Sequence, residues 1–268
     1  MTYTVGSLFS GIGGLDLGLE RAGMRVVWQS EIDPFACKVL KKHWPEVVNH
    51  GDIKQIDWAT VEPVDIICGG YPCQPFSTAG KRKGTDDPRH LWPWVRRAIS
   101  ELRPKYAILE NVRGHLTMGG LQVIGELAEI GYDAEWRVVS AAGVGAPHRR
   151  DRIIIVAYPN NTRSRTSERR TDSNGSQEIK GRKNIAQFGP GGCSKNVAYT
   201  SSERLQRPIW SIVEGNRTGF TNGSWWKVEP DVGRVADGIP HRVDRLRGLG
   251  NAVVPQVAEY IGRLITTS

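Results

Sequence analysis

The first 157 residues alternate short β-rich runs with longer stretches whose apolar positions recur at helical spacing. Strands are expected at 4–9, 26–30, 66–68, 106–110, 133–139 and 152–157. Residues 91–102 and 121–130 carry apolar side chains three and four apart, which marks one buried helix face, and each run precedes a strand. Strand and helix in alternation predict an α/β unit, a mostly parallel sheet covered by helices. From residue 158 to about 230 the pattern dissolves into Asn, Ser, Thr, Arg and Gly with scattered aromatics, Phe188, Trp210, Phe220, Trp225 and Trp226. A helical period returns at 253–265, where Val254, Val257, Ile261 and Leu264 share a face, with Asn251 and Pro255 around its start. The expected organisation is therefore a catalytic and cofactor-binding domain at 1–157, an irregular region at 158–232, and a segment at 233–268 that returns to the first domain.

Composition narrows this picture. A chain of 268 residues supports one large core with a smaller appendage. No apolar run approaches the ~18 residues of a membrane span, and the first residues lack a basic-then-apolar leader. A soluble cytoplasmic protein is expected. Cysteines stand at 37, 68, 73 and 193 with no Cys-x-x-Cys pair and no accompanying histidine cluster, so neither a zinc site nor a disulfide framework is signalled, and no metal is expected. The net charge of +8 points to a polyanionic partner, and its distribution says more. The excess of Lys and Arg over Asp and Glu is one in residues 1–157, six in 158–230 and one in 231–268, so the basic surplus sits in the irregular region.

Candidate chemistry begins where the first strand ends. The run Phe9-Ser-Gly-Ile-Gly-Gly14 puts closely spaced glycines between a strand and a helix starting near Leu15, which lets backbone approach a ligand. About twenty residues on, Glu31 closes the second strand, where an acid can take both hydroxyls of a ribose. A third loop, Gly51-Asp-Ile, adds Asp52. Together these form an adenosine-shaped site, and a dinucleotide remains open as its occupant. Against a dinucleotide, the spacing lacks the third glycine of that fingerprint and no basic residue near the loop awaits a pyrophosphate.

The run Asp65-Ile-Ile-Cys-Gly-Gly-Tyr-Pro-Cys-Gln-Pro-Phe-Ser places Cys73 immediately past a strand, at the edge where open α/β sheets bind ligands. Pro72 and Pro75 stiffen its loop, flanks that a buried structural thiol does not need. Cys68, inside the strand, fits that structural role. Five motifs in order, Phe9-Ser-Gly-Ile-Gly-Gly, Gly70-Tyr-Pro-Cys-Gln-Pro-Phe-Ser, Glu110-Asn-Val, Pro147-His-Arg-Arg-Asp-Arg and Gly250-Asn-Ala-Val-Val-Pro, resemble the DNA (cytosine-5) methyltransferase family of bacterial or phage type. They span residues 7–157 and 231–263 and leave the middle region uncovered.

The resemblance implies an α/β fold of the S-adenosylmethionine-dependent methyltransferase kind, Rossmann-like, with a mostly parallel seven-stranded sheet and a small irregular target-recognition domain. It assigns Phe9, Gly11, Ile12, Gly14, Glu31, Ile32, Asp52, Ile53, Leu91, Asn251 and Ala252 to S-adenosyl-L-methionine and its product S-adenosyl-L-homocysteine. Cys73, Glu110, Arg152 and Arg150 are its catalytic set, and Tyr71, Pro72, Gln74, Ser77 and Asn111 stand around the base and DNA. Double-stranded DNA is the implied partner, of a monomer, with room for a cognate restriction endonuclease. Tyr71 replaces the Phe common in the family, and His148 a frequent Gln.

The chemistry explains why such groups would be needed. Carbon 5 of cytosine is a poor nucleophile, so a thiolate must first add to carbon 6, and covalent catalysis splits one hard step into easier ones. Cys73 would need a lowered pKa, for which Arg150 or Arg152 offers a cation. Glu110, at a strand end, would act as the acid at ring N3. Strand alternation after residue 149 is expected to send Arg150 and Arg152 to one face. Residues 158–230 suit phosphate contacts and base-edge reading. Two rivals stand beside this reading: a DNA-binding module without methylation, and a nicotinamide oxidoreductase on the same glycine loop. A third, methylation of an exocyclic amine, wants an Asp/Asn/Ser-Pro-Pro-aromatic loop that is absent.

Overall fold

A computed structural model of the chain describes residues 2–72, 91–117, 119–160 and 242–267, all within one compact unit. Its centre is a seven-stranded sheet in the order β3-β2-β1-β4-β5-β7-β6. The strands are β1 (Thr4–Leu8), β2 (Arg25–Ser30), β3 (Val48–Asn49), β4 (Ile66–Gly69), β5 (Tyr106–Val112), β6 (Tyr132–Ser140) and β7 (Asp151–Pro159). Pairings from β3 to β5 are parallel, and β7 is antiparallel to both β5 and β6. The reversal follows from connection length. Only a short loop with one 3-10 turn (Ala142–Val144) joins β6 to β7, too little chain for the crossover that a parallel neighbour needs.

Six expected strands are present, and a two-residue edge strand, β3, is added at a place where the apolar period is too short to read. The last expected strand runs to Pro159, past the expected boundary at 157. The helices are α1 (Gly14–Arg21), α2 (Pro34–His43), α3 (Trp92–Leu102), α4 (Gly120–Glu129), α5 (Arg242–Asn251) and α6 (Pro255–Thr267). Asp33 caps α2 by accepting from the amides of Phe35 and Ala36 at 3.0 Å each, and Pro34 fills the first helical position, where a missing N–H costs nothing. No described helix is long and apolar enough to cross a membrane.

Two hydrophobic layers sandwich the sheet. Trp92, Val95 and Ile99 of α3 with Val123 and Leu127 of α4 cover one face, meeting Ile67, Leu109, Ile153 and Ile155. Leu15 and Leu19 of α1 with Val257, Ile261 and Leu264 of α6 cover the other, meeting Ile66, Cys68, Ile108, Ile154 and Val156. Successive β4 and β7 side chains thus alternate between two dry layers, which is why those strands read as continuous apolar runs. Truncating one such residue, Ile153 for instance, would cost about 2–5 kcal/mol. A Cβ on Gly18 would collide with the Pro255 carbonyl and the Ala258 side chain, so α1 and α6 lie in close contact and the C-terminal helix is integral to the sheet.

One carboxylate sits inside this core. Asp16 is fully buried and accepts from Ser7 Oγ at 2.9 Å and Gln29 Nε2 at 2.8 Å, joining α1 to β1 and β2. Burial raises its pKa to about 6 in spite of those hydrogen bonds.

Candidate active site

At the carboxyl ends of β1, β2 and β3 three loops converge. Gly11 and Gly13 adopt left-handed φ of 57° and 82°, and Phe9 does so with φ of 51°, a conformation uncommon outside glycine and frequent at functional sites. The Glu31 carboxylate is locked by three amides: Oε1 accepts from Ile32 and Asp33, at 2.8 and 2.7 Å, and Oε2 from Gly11 at 2.7 Å. The β1 turn and the β2 end are thereby fastened together. Beside this carboxylate Ile32 is 67% exposed, a bare apolar surface next to a ribose-type acid.

Asn49, which no motif singled out, organises the third loop. Its Oδ1 accepts from Glu31 and Gly51 amides at 3.0 and 3.1 Å, while Nδ2 donates to the Glu31 carbonyl and to Cys37 Sγ, at 3.1 and 3.3 Å. Ser30 Oγ donates to the Gly51 carbonyl at 2.7 Å. Asp52 stands half-buried on this loop, its Oδ1 accepting from the Lys54 amide at 3.0 Å. The residue types suit an adenosine: a left-handed glycine turn with no tight neighbour at Gly11, a fixed acid, an exposed isoleucine and a second acid on the third loop.

Several expected cofactor positions have other duties in the fold. A Cβ on Gly14 would strike the Val253 backbone, so its absence lets the C-terminal segment approach α1. Ile53 is 3% exposed and packs its side chain into the core. Ile12 reaches toward Gly248 of α5. Leu91 is the half-buried residue ahead of α3, its carbonyl accepting from Trp94 and Val95 amides. Asn251 is exposed at the end of α5, and the Ala252 amide donates to the Gly248 carbonyl at 3.0 Å.

On the other side of the sheet's midline, β5 and β7 carry the charged pair. Arg152 Nε meets Glu110 Oε1 at 2.8 Å, and an Arg152 terminal nitrogen donates to the Asp151 carbonyl at 2.9 Å. Glu110 is 7% exposed, and burial raises its pKa to about 6 although the Arg152 and Arg150 charges pull it down. Desolvation therefore outweighs the ion pair, and a protonated Glu110 lies within reach near neutral pH. A Cβ on Gly70 would come within 2.8 Å of Glu110 Oε2, so glycine there brings the carboxyl against the loop that leads to Cys73. Cys73, Gln74 and Ser77 themselves lie outside the described residues, as does most of the expected recognition region.

Arg150 stands before β7 with φ of 36°, a left-handed residue outside the strand, and its charge acts on Glu110 together with that of Arg152. Its guanidinium donates to the carbonyls of Gly250 and Ala252 at 2.7 and 2.6 Å, tying the start of β7 to the segment that bears Asn251. Burial lowers its pKa, and the Arg152 charge adds to that. Arg150 acts in this structure as a strut between the two halves of the site.

Tyr71 and Asn111 are both buried and bonded within the protein. Asn111 Nδ2 donates to the Tyr71 carbonyl at 3.0 Å. The Tyr71 ring packs on Trp92 at 5.4 Å between centroids, and its hydroxyl shares a 2.7 Å hydrogen bond with His115 Nε2. His115 is 3% exposed, its Nδ1 buried without a partner, and burial lowers its pKa. The hydroxyl that distinguishes Tyr71 from phenylalanine thus has a dedicated partner, which sequence reading missed because residues 71 and 115 meet only in the fold. Pro72 is exposed.

A mixed seven-stranded sheet with one reversed strand, helices on both faces and an adenosine-shaped edge defines a Rossmann-like methyltransferase fold. The solved structures it resembles include a variant of Spodoptera frugiperda DNMT2, with TM-score 0.52 and 27% identity over 64% of this chain and 54% of that one. Another is a DNA modification methyltransferase encoded within an Escherichia coli prophage, with TM-score 0.50 and 29% identity over 59% of this chain and 47% of that one. The C-5 cytosine-specific DNA methylase family matches residues 3–216, and the chain belongs to that family. Among curated relatives, the type II methyltransferase M.Eco47II of Escherichia coli is 44% identical over 166 residues, 59% of this chain and 40% of the relative. M.NgoMIV of Neisseria gonorrhoeae is 38% identical, over 60% of this chain and 53% of the relative. M.NaeI of Lentzea aerocolonigenes is 31% identical over 96% of this chain and 73% of the relative. The chain thus spans 40 to 53% of the first two relatives' length.

Proposed function

We propose that this protein is a DNA (cytosine-5-)-methyltransferase that adds a methyl group to carbon 5 of an extruded cytosine in duplex DNA. The observation that carries the reading is Glu110: a buried carboxyl with its pKa raised to about 6, ion-paired to Arg152 and pressed against the loop that leads to Cys73. S-adenosyl-L-methionine, held by the glycine loop, Glu31, Ile32 and Asp52, supplies an electrophilic methyl group.

Reaching carbon 6 requires the nucleotide to leave the stack, at a cost of roughly a few kcal/mol for unpairing and unstacking. The Cys73 thiolate then bonds to carbon 6 while Glu110, as a carboxylic acid, donates at N3 and takes up the electron density pushed into the ring. Arg152, fixed by Glu110 and the Asp151 carbonyl, faces O2 of the base. Carbon 5 becomes nucleophilic and takes the methyl, with S-adenosyl-L-homocysteine as the leaving group; loss of the C5 proton, departure of the Cys73 sulfur as thiolate and return of the N3 proton to Glu110 then restore the aromatic ring. A nicotinamide reading gains no support from Glu110, Arg152 or Cys73, none of which hydride transfer would use.

The test is incubation of plasmid with the protein and S-adenosyl-L-methionine, followed by bisulfite sequencing of wild type and Cys73→Ser. Wild type should produce 5-methylcytosine at a fixed sequence context, and Cys73→Ser none. Equal methylation by both would end the covalent mechanism.

A further inference from the structure

Two exposed arginines share one carboxylate beside the catalytic pair. Arg113, first residue of the 3-10 turn Arg113–Thr117 after β5, reaches Asp151 Oδ2 at 3.5 Å, and Arg149, in the loop before β7, reaches the same oxygen at 3.1 Å. Their side chains are 64% and 76% exposed, while that of Asp151 is only 17% exposed. Asp151 itself gives its carbonyl to Arg152, whose Nε holds Glu110. Arg113 lies three residues beyond Glu110 on the same strand and turn, and Val112 pairs with Arg152 across β5 and β7. Both guanidiniums therefore stand at the end of the sheet where β5 finishes and β7 begins, the end that also carries Glu110 and Arg152.

The charge balance at this rim is unlike that of its segment. Among the described residues Arg113, Arg149, Arg150 and Arg152 pair or interact with the carboxylates of Glu110 and Asp151, and the surplus grows when Glu110 is protonated. Three of these arginines are neighbours in the run 149–152, and folding adds Arg113 from the end of β5 to a segment whose overall excess is one positive charge. A single arginine neutralises Asp151. Exposed ion pairs contribute little to stability, so a second arginine on the same carboxylate adds almost nothing to the fold. A guanidinium presents several donors in a planar fork that suits phosphate oxygens, and Asp151 keeps both forks extended at the rim. Phosphate oxygens of a bound duplex could replace the Asp151 carboxylate on either fork.

We propose that Arg113 and Arg149 form a backbone clamp for DNA, gripping the phosphates that flank the extruded cytosine, with Asp151 as their placeholder until DNA arrives. This inference rests on the DNA-methyltransferase reading and assigns part of the backbone grip to the catalytic unit itself, in addition to the basic region at 158–230.

The experiment measures dissociation constants of two short duplexes of unrelated sequence across a salt series, for wild type, Arg113→Gln, Arg149→Gln and Asp151→Asn. Thermal melting and S-adenosyl-L-methionine affinity of each variant serve as folding controls. Each arginine variant should weaken binding of both duplexes alike and lower the slope of log affinity against log salt by about 0.9, the value for one phosphate contact. Asp151→Asn should tighten binding, because the competing carboxylate is gone; a purely structural role of the triad moves affinity the other way or not at all. Wild-type slopes in both arginine variants, with DNA bound normally, overturn the clamp alone. A wild-type protein that binds neither duplex in a salt-dependent way overturns the clamp and the methyltransferase reading together.

Discussion

Around the glycine loop, a carboxylate is held by backbone: Glu31 accepts from three amides, and Asn49 fastens its main chain from the opposite side. Around β5 and β7, the Glu110 carboxyl has a guanidinium for its partner and so little solvent that its pKa rises to about 6. The first arrangement fixes a charge for binding; the second keeps a proton available. Backbone amides cannot be removed by a side-chain substitution, whereas a desolvated ion pair changes state near neutrality and depends on two side chains. A methyl transfer at a flipped base needs one of each, an inert grip on the donor and a titratable grip on the acceptor.

The sharpest way to break this contrast is Glu110→Gln, which keeps shape but loses the acid. Its methyl-transfer rate should fall by about 10²–10⁴-fold, while the shift in melting temperature caused by S-adenosyl-L-methionine stays as in wild type. A variant of near-normal rate would remove Glu110 from the chemistry. Glu31→Ala should show the converse. Loss of charge-assisted hydrogen bonds weakens S-adenosyl-L-methionine binding by about ten- to a hundredfold, read by calorimetry, with the rate at saturating donor little changed.

Stability against pH reports on the Glu110 carboxyl directly. The folded protein holds the Glu110 proton up to about pH 6 and the unfolded chain releases it near 4.5, so the folded state binds more protons between those values. Stability on this account falls as pH rises through that window, by about 2 kcal/mol for the shift of 1.5 units. Urea denaturation of wild type and Glu110→Gln at pH 4 and 7.5 should show the variant losing less. Asp16, pushed the same way by burial, keeps its contribution in both. An identical pH dependence in the two proteins would contradict the raised pKa.

A smaller effect is expected at the anchor of the catalytic loop. Tyr71→Phe orphans His115 Nε2 next to an Nδ1 that already lacks a partner, at a cost of about 1–3 kcal/mol in denaturant stability. Replacing both residues, Tyr71→Phe with His115→Leu, should recover most of it, because a buried polar pair exchanged for apolar groups leaves nothing unsatisfied. A double variant no better than the single would show the ring packing on Trp92, not the hydrogen bond, to be what matters there.

Much of this molecule was legible before any coordinate. Six of the seven strands announced themselves because β4, β5 and β7 are buried on both faces and must be apolar throughout, and α3, α4 and α6 because one face of each is buried. The glycine loop, Glu31, Glu110 and Arg152 could be proposed from the sequence because their chemistry demands particular residue types at strand ends. Strand β3 was invisible, since two residues hold no period. Asn49 and His115 were missed because an asparagine and a histidine in loops have no distinguishing spacing, and the packing duties of Gly14 and Ile53 became visible only in the fold.

What the sequence determined by itself is the kind of protein: the alternation sets an α/β sandwich, and five short motifs in order set the family, because backbone path and reaction chemistry both act on residue type locally. What only the tertiary structure decided is which charge meets which. The Arg150 guanidinium reaches the carbonyls of Gly250 and Ala252, a hundred positions away in sequence, while its charge still acts on Glu110. The antiparallel pairing of β5 with β7 brings Arg152 to Glu110 and sets Arg113 and Arg149 on one aspartate. Residues tens of positions apart acquire a shared electrostatic field only once the chain has folded, and neither a raised pKa nor a charged rim exists before then.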